Sequence, residues 1–350
     1  MDSRQWHKQA HQCTSAMPVP WEPARVQESP QDQLEAYAAE VRSALRAQRL
    51  RSPAHEAIAA SLTNALTHAE SEPLGARTIL SLSAPYAIGK SSLIKGWAQH
   101  LYRDWTTGRR VLDLPEWQPE SGVNADLVPV IYVSVLARSN SRDLYSTILE
   151  FLGYPGRGTA RDATLLTTRA LKTHGVRLLI VDDAHMLNTA RVTGRATLDA
   201  LKQLNTELGE LGGSLVLVGA NLRGGAALSD QQIRGRLLEH DLTPYTLQSP
   251  ADIGQWQTLM ANARPTLRPY LPDLDVDAMI DELARFAYRR TQGWVGDVSA
   301  LLAGATEAAI VRRGTTLTTD DLRDVRLSQR ARDGEAASAA SALKGTAEAS

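Results

Sequence analysis

The segment Leu80–Leu93 reads LSLSAPYAIGKSSL, and it predicts a short strand, a tight loop and a helix, in that order. Gly89, Lys90 and Ser91 stand where the helix begins. This spacing is close to the phosphate-binding pattern G-x-x-x-x-G-K-[ST], in which backbone N–H groups of the loop and the helix N-terminus surround phosphate oxygens. The segment therefore predicts a nucleotide site.

Each position of the loop has an expected role. Lys90 is expected to reach the β- and γ-phosphates, and the Ser91 hydroxyl to bind Mg²⁺. Ala84 departs from the pattern, because it occupies the position of the first glycine and alanine tolerates a positive φ poorly. We therefore expect a slightly reshaped loop. The predicted nucleotide-binding residues are Ala84, Pro85, Tyr86, Ala87, Ile88, Gly89, Lys90, Ser91 and Ser92.

Two later segments supply polar groups at predicted strand ends. Residues 176–183, VRLLIVDD, end in Asp182 and Asp183. Carboxylates at such a strand end hold Mg²⁺ and orient water, so Asp182 is expected to bind the metal through water and Asp183 to polarise the attacking water. The strand predicted over 214–220 is followed by Asn221, which could touch the γ-phosphate or the lytic water. Together with the loop, these residues predict a nucleotide-hydrolase core.

The remaining pattern predicts the architecture. Apolar runs indicate strands over 78–83, 128–135, 176–183, 214–220 and 242–247, with helical spacing between most of them and a short helix at 230–239. This alternation predicts an α/β fold, an open parallel sheet flanked by helices, with the ligand at the carboxyl ends of the strands. Residues 106–126 are polar and broken by prolines, which predicts a surface insertion.

Composition changes along the chain predict its domains. Residues 34–249 are expected to form N-terminal helices and the nucleotide-binding domain, and 250–330, with helical spacing only, a small all-α lid domain. Residues 1–33 lack a hydrophobic period and predict a disordered or loosely docked tail. Residues 331–350 are rich in Ala, Ser and Glu and predict a disordered tail.

Overall composition limits the function classes. The chain has 350 residues, with 38 Lys and Arg against 39 Asp and Glu, so any DNA contact must come from a local basic patch. Its one cysteine, Cys13, cannot form an internal disulfide, which fits a reducing compartment. No signal-peptide pattern or membrane-length apolar run is seen. A cytoplasmic protein without membrane contact is expected.

With these elements placed, the chain resembles an AAA+ ATPase, and more narrowly the TniB, TnsC and MuB group of transposition regulators. The resemblance covers about Ser52–Arg330. The segments that carry it are APYAIGKSS, VRLLIVDDAHML, RATLDALKQLNTELG, SLVLVGAN, LSDQQIRGRLLEHDLTPY and TQGWVGDVSALL.

The resemblance implies ATP and Mg²⁺ as ligands and gives some residues further roles. Asp183 stands where most relatives have the catalytic Glu, and the shorter side chain suggests slow hydrolysis. Asn221 matches the first sensor position. Arg236, with Arg234 second, matches the arginine that a neighbouring subunit supplies to the γ-phosphate. Gly296-Asp297 replaces the common Gly-Arg of the second sensor, for which Arg289 or Arg290 could substitute.

The resemblance also implies partners. A homo-oligomer is expected, either a ring or a helical filament, that binds double-stranded DNA without sequence preference and contacts a transposase and a target-selection protein. Candidate DNA contacts are Arg138, Arg142, Arg157 and Arg161, whose phosphate contacts would be sensitive to salt.

These features favour an ATP-dependent DNA-binding regulator of transposition, which assembles on target DNA and recruits or activates a transposase. Two alternatives stay open: a nucleotide-dependent switch or scaffold with little hydrolysis, and an AAA+ ATPase of another mobile-element, plasmid or defence system. A helicase is excluded because the all-α end provides no second motor domain. His185, in the segment DDAH, is instead expected to pack or hydrogen-bond behind the metal-binding strand.

Overall fold

The order of apolar and polar segments produces a parallel sheet and a set of helices. The computed structural model describes every residue except 13–16, 110, 157, 188–191, 223–229 and 349–350, and it leaves the side chains of 192–194 and 341–348 undescribed. The chain divides into two units. The sheet unit consists of Met1–Gln12, Ala57–Tyr86 and Lys90–Leu242, and the helical unit of Cys13–Glu56, Ala87–Gly89 and Thr243–Ser350.

The described strands and helices have the following bounds. The strands are β1 (Ile79–Ser83), β2 (Glu116–Glu120), β3 (Val123–Asp126), β4 (Val130–Ser134), β5 (Leu178–Asp182), β6 (Ser214–Gly219) and β7 (Leu237–Asp241). The α-helices are α1 (Ser3–His11), α2 (Pro23–Glu28), α3 (Gln31–Ala47), α4 (Pro53–Ser71), α5 (Lys90–Trp105), α6 (Ser141–Phe151), α7 (Ala160–Thr173), α8 (Val192–Glu210), α9 (Gln231–Arg234), α10 (Pro250–Leu267), α11 (Val276–Ile280), α12 (Glu282–Thr291), α13 (Val295–Val311), α14 (Thr319–Arg323) and α15 (Gln329–Glu348). None of the helices within the described residues has the length and apolar character that a bilayer crossing needs.

One parallel sheet forms the centre of the sheet unit, with strand order β4–β5–β6–β1–β7. Four of the strands, β1, β4, β5 and β6, are buried over most of their length, as strands covered on both faces must be. In this register Ser134 lies beside Asp182, and Ser83 lies beside both Gly219 and Asp241. Because every pair is parallel, the carboxyl ends of all five strands lie at one edge. The predicted open parallel sheet is confirmed.

Two segments differ from the predictions. The last strand is Leu237–Asp241 and not 242–247, and the helix predicted at 230–239 covers only Gln231–Arg234. Pro244 explains part of this, because proline has no N–H to donate to a strand ladder. The side chains of β7 are half-buried or exposed, so it lacked a strong apolar signal. The predicted insertion at 106–126 contains the antiparallel hairpin of β2 and β3.

The beginning of the chain is more ordered than predicted for residues 1–33. Helix α1 starts with a capping box, in which the Asp2 side chain accepts from the Gln5 backbone N–H. Its Trp6 is fully buried and stacks on Tyr132, with ring centroids 5.5 Å apart. Burying a tryptophan contributes about 3 kcal/mol, so a single side chain docks a helix too short to show a hydrophobic period. Helix α2 also lies within the predicted tail.

Helix α3 belongs to the helical unit, whereas the sequence predicts it within residues 34–249, the N-terminal helices and nucleotide-binding domain. Leu34 and Val41 are buried in the apolar core of the helical unit. Arg42 forms an ion pair with Glu307 of α13 at 2.8 Å. The spacing of apolar residues in α3 predicts a buried face but does not say which partner covers that face.

The end of the chain also differs from the prediction of a disordered tail at 331–350, since α15 extends from Gln329 to Glu348. Alanine has the highest helix propensity, so an Ala-rich segment continues as a helix once its first turn is held. That first turn is held by buried Ala331 and by Arg330, which bonds to Asp297.

A buried arginine ties α12 to the segment around α14 within the helical unit. The Arg290 guanidinium donates to the carbonyl oxygens of Leu322 at 2.5 Å, Arg323 at 2.6 Å and Val325 at 2.7 Å. Arg289, its chain neighbour, is exposed and lies over the ring of Phe286. Because Arg290 is committed to these carbonyls, it does not serve as the second-sensor arginine.

This difference predicts unequal effects for two adjacent substitutions. Arg290→Met should lower the free energy of unfolding by about 3 kcal/mol, because three carbonyl oxygens lose a charged donor. Arg289→Met should change it by less than about 0.5 kcal/mol, since the side chain is exposed. Urea unfolding of both variants measures the difference, and equal losses would contradict the structural role of Arg290.

Candidate nucleotide-binding site

The predicted phosphate loop joins β1 to α5 at the carboxyl edge of the sheet. Its left-handed residues are Ala87, with φ of 64°, and Gly89, with φ of 98°. Ala84 is buried and has no positive φ, and its N–H donates to the Gly219 carbonyl of the neighbouring strand at 3.1 Å. The change in loop shape that we expected at Ala84 is therefore not seen at this residue. The strain of a left-handed alanine falls at Ala87 instead.

Lys90 is the first residue of α5, and its side chain is largely buried, with a relative exposure of 8%. Its ammonium lies 5.4 Å from the ring centroid of Tyr86, within the range of a cation–π contact. Burying an ammonium is costly unless an anion or a hydrogen-bond acceptor compensates. Phosphate oxygens bound at the start of α5 would supply that compensation and would also interact favourably with the helix dipole.

Asp182 ends β5 and is buried, with 2% exposure. One carboxylate oxygen accepts from the Tyr132 hydroxyl, and the other accepts from the Asp183 backbone N–H at 2.8 Å. Burial and the adjacent Asp182 carboxylate raise the pKa of Tyr132 far above its usual value, while a hydrogen bond with Ser91 opposes the shift. Tyr132 therefore stays protonated and donates to Asp182.

Asp183 adopts a left-handed conformation, with φ of 56° and ψ of 32°, immediately after the strand. Aspartate is one of the few residues that tolerate this region. Its carboxylate accepts from the Ser134 hydroxyl at 3.0 Å. Ser134 ends the neighbouring strand β4, where it lies beside Asp182 in the sheet register. The predicted catalytic carboxylate is thus held by a hydroxyl from the adjacent strand.

His185 connects three parts of the sheet edge. Its Nδ1 accepts from the Ala220 backbone N–H at 3.1 Å, and its Nε2 lies 2.9 Å from the Tyr86 hydroxyl. An accepting Nδ1 assigns the proton to Nε2, so His185 donates to Tyr86. The sequence predicted hydrogen bonding behind the metal-binding strand, whereas this histidine also reaches the phosphate loop.

Asn221 follows β6, the strand that lies between β5 and β1, so it stands between the two acids and the loop along the sheet edge. It is exposed and left-handed, with φ of 49°. The next residue, Leu222, donates its N–H to the Ser83 hydroxyl at the end of β1, at 3.1 Å. The structure therefore brings Asn221 to the edge where the phosphate loop begins, as its predicted role requires.

The donor set at this edge suits Mg²⁺. Ser91 offers a hydroxyl oxygen at the start of α5, and Asp182 offers a carboxylate oxygen at the end of β5. Mg²⁺ prefers oxygen ligands and is typically held by one or two carboxylates together with substrate phosphates. Ser91 and Asp182 are the side chains that could hold the ion, in agreement with their predicted roles.

The second-sensor turn belongs to the helical unit. A Cβ added at Gly296 would lie 2.8 Å from the Ala87 carbonyl oxygen, so only glycine fits this approach. Asp297, which stands where an arginine is common, is buried and accepts from the Ser328 hydroxyl at 2.8 Å and from the guanidinium of Arg330. The ion pair between Asp297 and Arg330 therefore occupies the second-sensor turn.

The predicted arginine-finger residues lie away from the phosphate loop of their own chain. Arg234 ends α9, and Arg236 immediately precedes β7. The Arg236 carbonyl accepts from the Ile79 N–H at the amino end of β1, one strand length of about 16 Å from the loop. Both side chains are exposed. Within one chain Arg236 is not part of the site, so its predicted role requires a second subunit.

The predicted DNA contacts are separate exposed residues. Arg138 lies in the loop after β4, and its N–H donates to the Met186 carbonyl at 2.9 Å. Arg142 and Arg161 lie in the first turns of α6 and α7. All three are exposed, as phosphate contacts must be, whereas Arg157 lies outside the described residues.

The side chains that hold the two acids are not indicated by any motif of the sequence. Tyr132 and Ser134 alternate with apolar residues in β4 and carry hydroxyls beside the strand that ends in Asp182. The two hydroxyl side chains in an otherwise apolar predicted strand were the feature of the sequence that could have indicated them. That signal did not indicate which strand would lie next to β5.

Comparisons with known proteins identify the family and the fold of the chain. A family model described as TniB: Bacterial TniB protein matches residues 43–247, which is more than half of the chain. No curated protein sequence matches it. The structure is similar to Cdc6p from Pyrobaculum aerophilum, with a TM-score of 0.53 and 19% identity, covering 79% of this chain and 67% of that one. It is also similar to the ADP form of ORC2 from Aeropyrum pernix, with a TM-score of 0.50 and 18% identity, covering 79% and 68%. At these identities the likeness concerns the fold.

The geometry predicts that two substitutions separate nucleotide binding from turnover. Lys90→Ala should abolish ATP binding, because the ammonium beside the loop is lost. Asp183→Asn should keep ATP affinity within about 3-fold and lower turnover by at least about 100-fold, since an amide cannot accept a proton from water. Binding of a fluorescent ATP analogue and phosphate release measure the two effects.

Lys172→Ala provides the matched control for Lys90→Ala. Lys172 is an exposed lysine of the same unit that pairs with Glu120, so both measurements should match those of the unsubstituted protein. Full turnover in Asp183→Asn would exclude Asp183 as the group that activates water.

Proposed function

Because the chain belongs to the TniB family and has the AAA+ fold, we propose that it is an ATP-dependent DNA-binding regulator of transposition. In this proposal ATP binding assembles subunits on target DNA, the assembly recruits or activates a transposase, and hydrolysis reverses assembly. The observation that carries the proposal is the shared sheet edge, where the phosphate loop, Asp182, Asp183 and Asn221 lie at the ends of adjacent strands.

In this proposal the residues at the sheet edge have separate roles in ATP hydrolysis. Backbone N–H groups at the start of α5 and the Lys90 ammonium would bind the β- and γ-phosphates and orient the triphosphate. Ser91 and Asp182 would hold Mg²⁺, which neutralises charge on the phosphate oxygens. Asp183 would accept a proton from the attacking water, and Asn221 would position that water or the γ-phosphate.

The exposed arginines beside β7 support an oligomer as the active form. Arg236 is exposed at the edge of the sheet opposite its own loop, so it is free to reach the γ-phosphate bound by an adjacent subunit. An arginine supplied in this way stabilises charge in the transition state and makes hydrolysis depend on assembly. Arg234, two residues earlier, is the second candidate for this role.

A nucleotide-dependent switch with little hydrolysis is the second candidate function. The geometry of Asp183 favours it, because this short carboxylate is bonded to Ser134, which fixes its position beside the strand end. Such a protein would bind ATP and assemble but release phosphate slowly. The turnover of the unsubstituted protein, compared with Lys90→Ala, discriminates between the two functions.

Nucleotide-dependent DNA binding is the first test of the proposal. The protein should shift double-stranded DNA of any sequence with a non-hydrolysable ATP analogue, and much less without nucleotide. Each of Arg138→Ala, Arg142→Ala and Arg161→Ala should weaken binding and reduce the slope of log affinity against log salt by about 1, because one phosphate contact is lost.

Arg285→Ala is the matched control for these variants. Arg285 is an exposed arginine of the helical unit that already pairs with Asp281 at 2.7 Å, so its removal should leave DNA binding unchanged. Absence of any nucleotide-dependent DNA complex in gel shifts and electron micrographs would contradict the proposed function.

The second test asks whether Arg236 acts in trans. Asp183→Asn and Arg236→Ala should each have little ATPase activity when alone. A mixture of equal amounts should recover about a quarter of the normal turnover, because some interfaces then combine an intact Asp183 with an intact arginine. No recovery on mixing, with both variants able to assemble, would exclude a shared site.

A further inference from the structure

The hydroxyl of Tyr132 occupies a central place among the groups proposed to bind magnesium. It donates to the carboxylate of Asp182, one of the two proposed ligands of the ion. Tyr132 is buried in β4, a strand that lies directly beside β5, which ends in Asp182. The side chain that contacts this ligand thus comes from a neighbouring strand, 50 residues away in sequence.

The ring of Tyr132 is held by the first helix of the chain. Trp6 of α1 stacks on it with an interplanar angle of 10° and a centroid distance of 5.5 Å. The Lys95 ammonium, from α5, lies 5.0 Å from the same ring. Trp6 is fully buried, so the contact excludes water from this side of Tyr132.

Other contacts anchor α1 in the same place. His7 Nδ1 lies 2.8 Å from the Tyr102 hydroxyl, and His7 Nε2 lies 2.8 Å from the Val111 carbonyl oxygen. Arg103 of α5 donates to the Ala10 carbonyl at 2.8 Å. Helix α1 is therefore attached along its length to the elements that carry the proposed nucleotide site.

We propose that Tyr132 is a positioning residue for the magnesium-binding carboxylate of Asp182, and that α1, through Trp6, holds Tyr132 in that position. The inference rests on the proposed function, since it assumes that the site binds a nucleotide with Mg²⁺. It assigns α1 a role in supporting the ion, which neither the phosphate-loop pattern nor the sequence of the tail indicates.

The physical reason is restriction of the carboxylate. A side-chain carboxylate rotates freely unless its oxygens are bonded, and fixing it before the ion arrives removes an entropic cost of binding. Tyr132 occupies one acceptor site of one Asp182 oxygen, and an ionised carboxylate has about four such sites, so capacity for the ion remains. Partners that orient metal ligands in this way typically contribute 10- to 100-fold to metal affinity.

The proposal also requires a reciprocal effect. If docked α1 favours binding of the ion, then binding of the ion must favour docked α1 by the same factor. Amide hydrogens of α1 should therefore exchange more slowly with ADP and Mg²⁺ than with ADP and a chelator. This consequence is measured on the unsubstituted protein and needs no ATP turnover.

The first experiment compares two tyrosine hydroxyls. Tyr132→Phe removes the donor to Asp182, and Tyr145→Phe removes a buried hydroxyl of the same unit that donates to Gln203. Affinity for Mn²⁺ at saturating ADP is measured by electron paramagnetic resonance, and affinity for ADP is measured separately in a chelator. Tyr132→Phe should bind Mn²⁺ about 10- to 100-fold more weakly with unchanged ADP affinity in chelator, and Tyr145→Phe should match the unsubstituted protein.

The second experiment tests the contribution of α1. Trp6→Phe keeps an aromatic ring against Tyr132 and should retain most of the Mn²⁺ affinity, whereas Trp6→Ala should lose as much as Tyr132→Phe. If Trp6→Ala does not fold, the hydrogen exchange of α1 in Tyr132→Phe replaces it. There the slowing by ADP and Mg²⁺ should disappear.

Three results would overturn the inference. These are normal Mn²⁺ affinity in Tyr132→Phe, equal losses in Tyr132→Phe and Tyr145→Phe, or exchange of α1 that does not respond to Mg²⁺ in the unsubstituted protein. A different result would overturn the proposed function as well, namely an unsubstituted protein that binds no ADP in either Mg²⁺ or chelator. The two failures are therefore distinguishable.

Discussion

The parallel hydrogen bonding of β1, β5 and β6 is the constraint on which the candidate site depends. Parallel neighbours must end at the same edge of a sheet, so the phosphate loop after β1, the acids after β5 and Asn221 after β6 lie together. These strands are buried, so their backbone groups must pair with one another and their order cannot easily change. The site is thus positioned by main-chain pairing before any side chain contributes.

The side chains at this edge then hold one another through hydroxyl groups. Tyr132 donates to Asp182, Ser134 to Asp183, and Ser83 accepts from Leu222. Tyr132 and Asp182 are buried, and an unpaired polar group there would be costly whereas a paired one is fixed in position. This arrangement suits a site that must bind phosphate and a cation in a defined geometry.

Three departures from the family pattern have different structural meanings. Ala84 needs no left-handed conformation, so it does not disturb the loop. Asp183 is shorter than the usual glutamate, and its carboxylate accepts a hydrogen bond from Ser134. Asp297 pairs with Arg330 within the helical unit, so an internal ion pair occupies the turn where an arginine is common. Only the second departure bears directly on the proposed water-activating group.

Residue order alone is sufficient to locate the phosphate loop, the acids and four of the five sheet strands, because their signals are local apolar runs and fixed spacings. It also supports the fold class, since alternating strands and helices favour a parallel sheet. The edge strand β7 and helix α1 gave weak signals, because one is half-exposed and the other is docked largely by a single tryptophan. Only the tertiary structure reveals the link from Trp6 through Tyr132 to Asp182. Tyr132 and Asp182 are 50 residues apart, and nothing local in either segment specifies that their strands are neighbours.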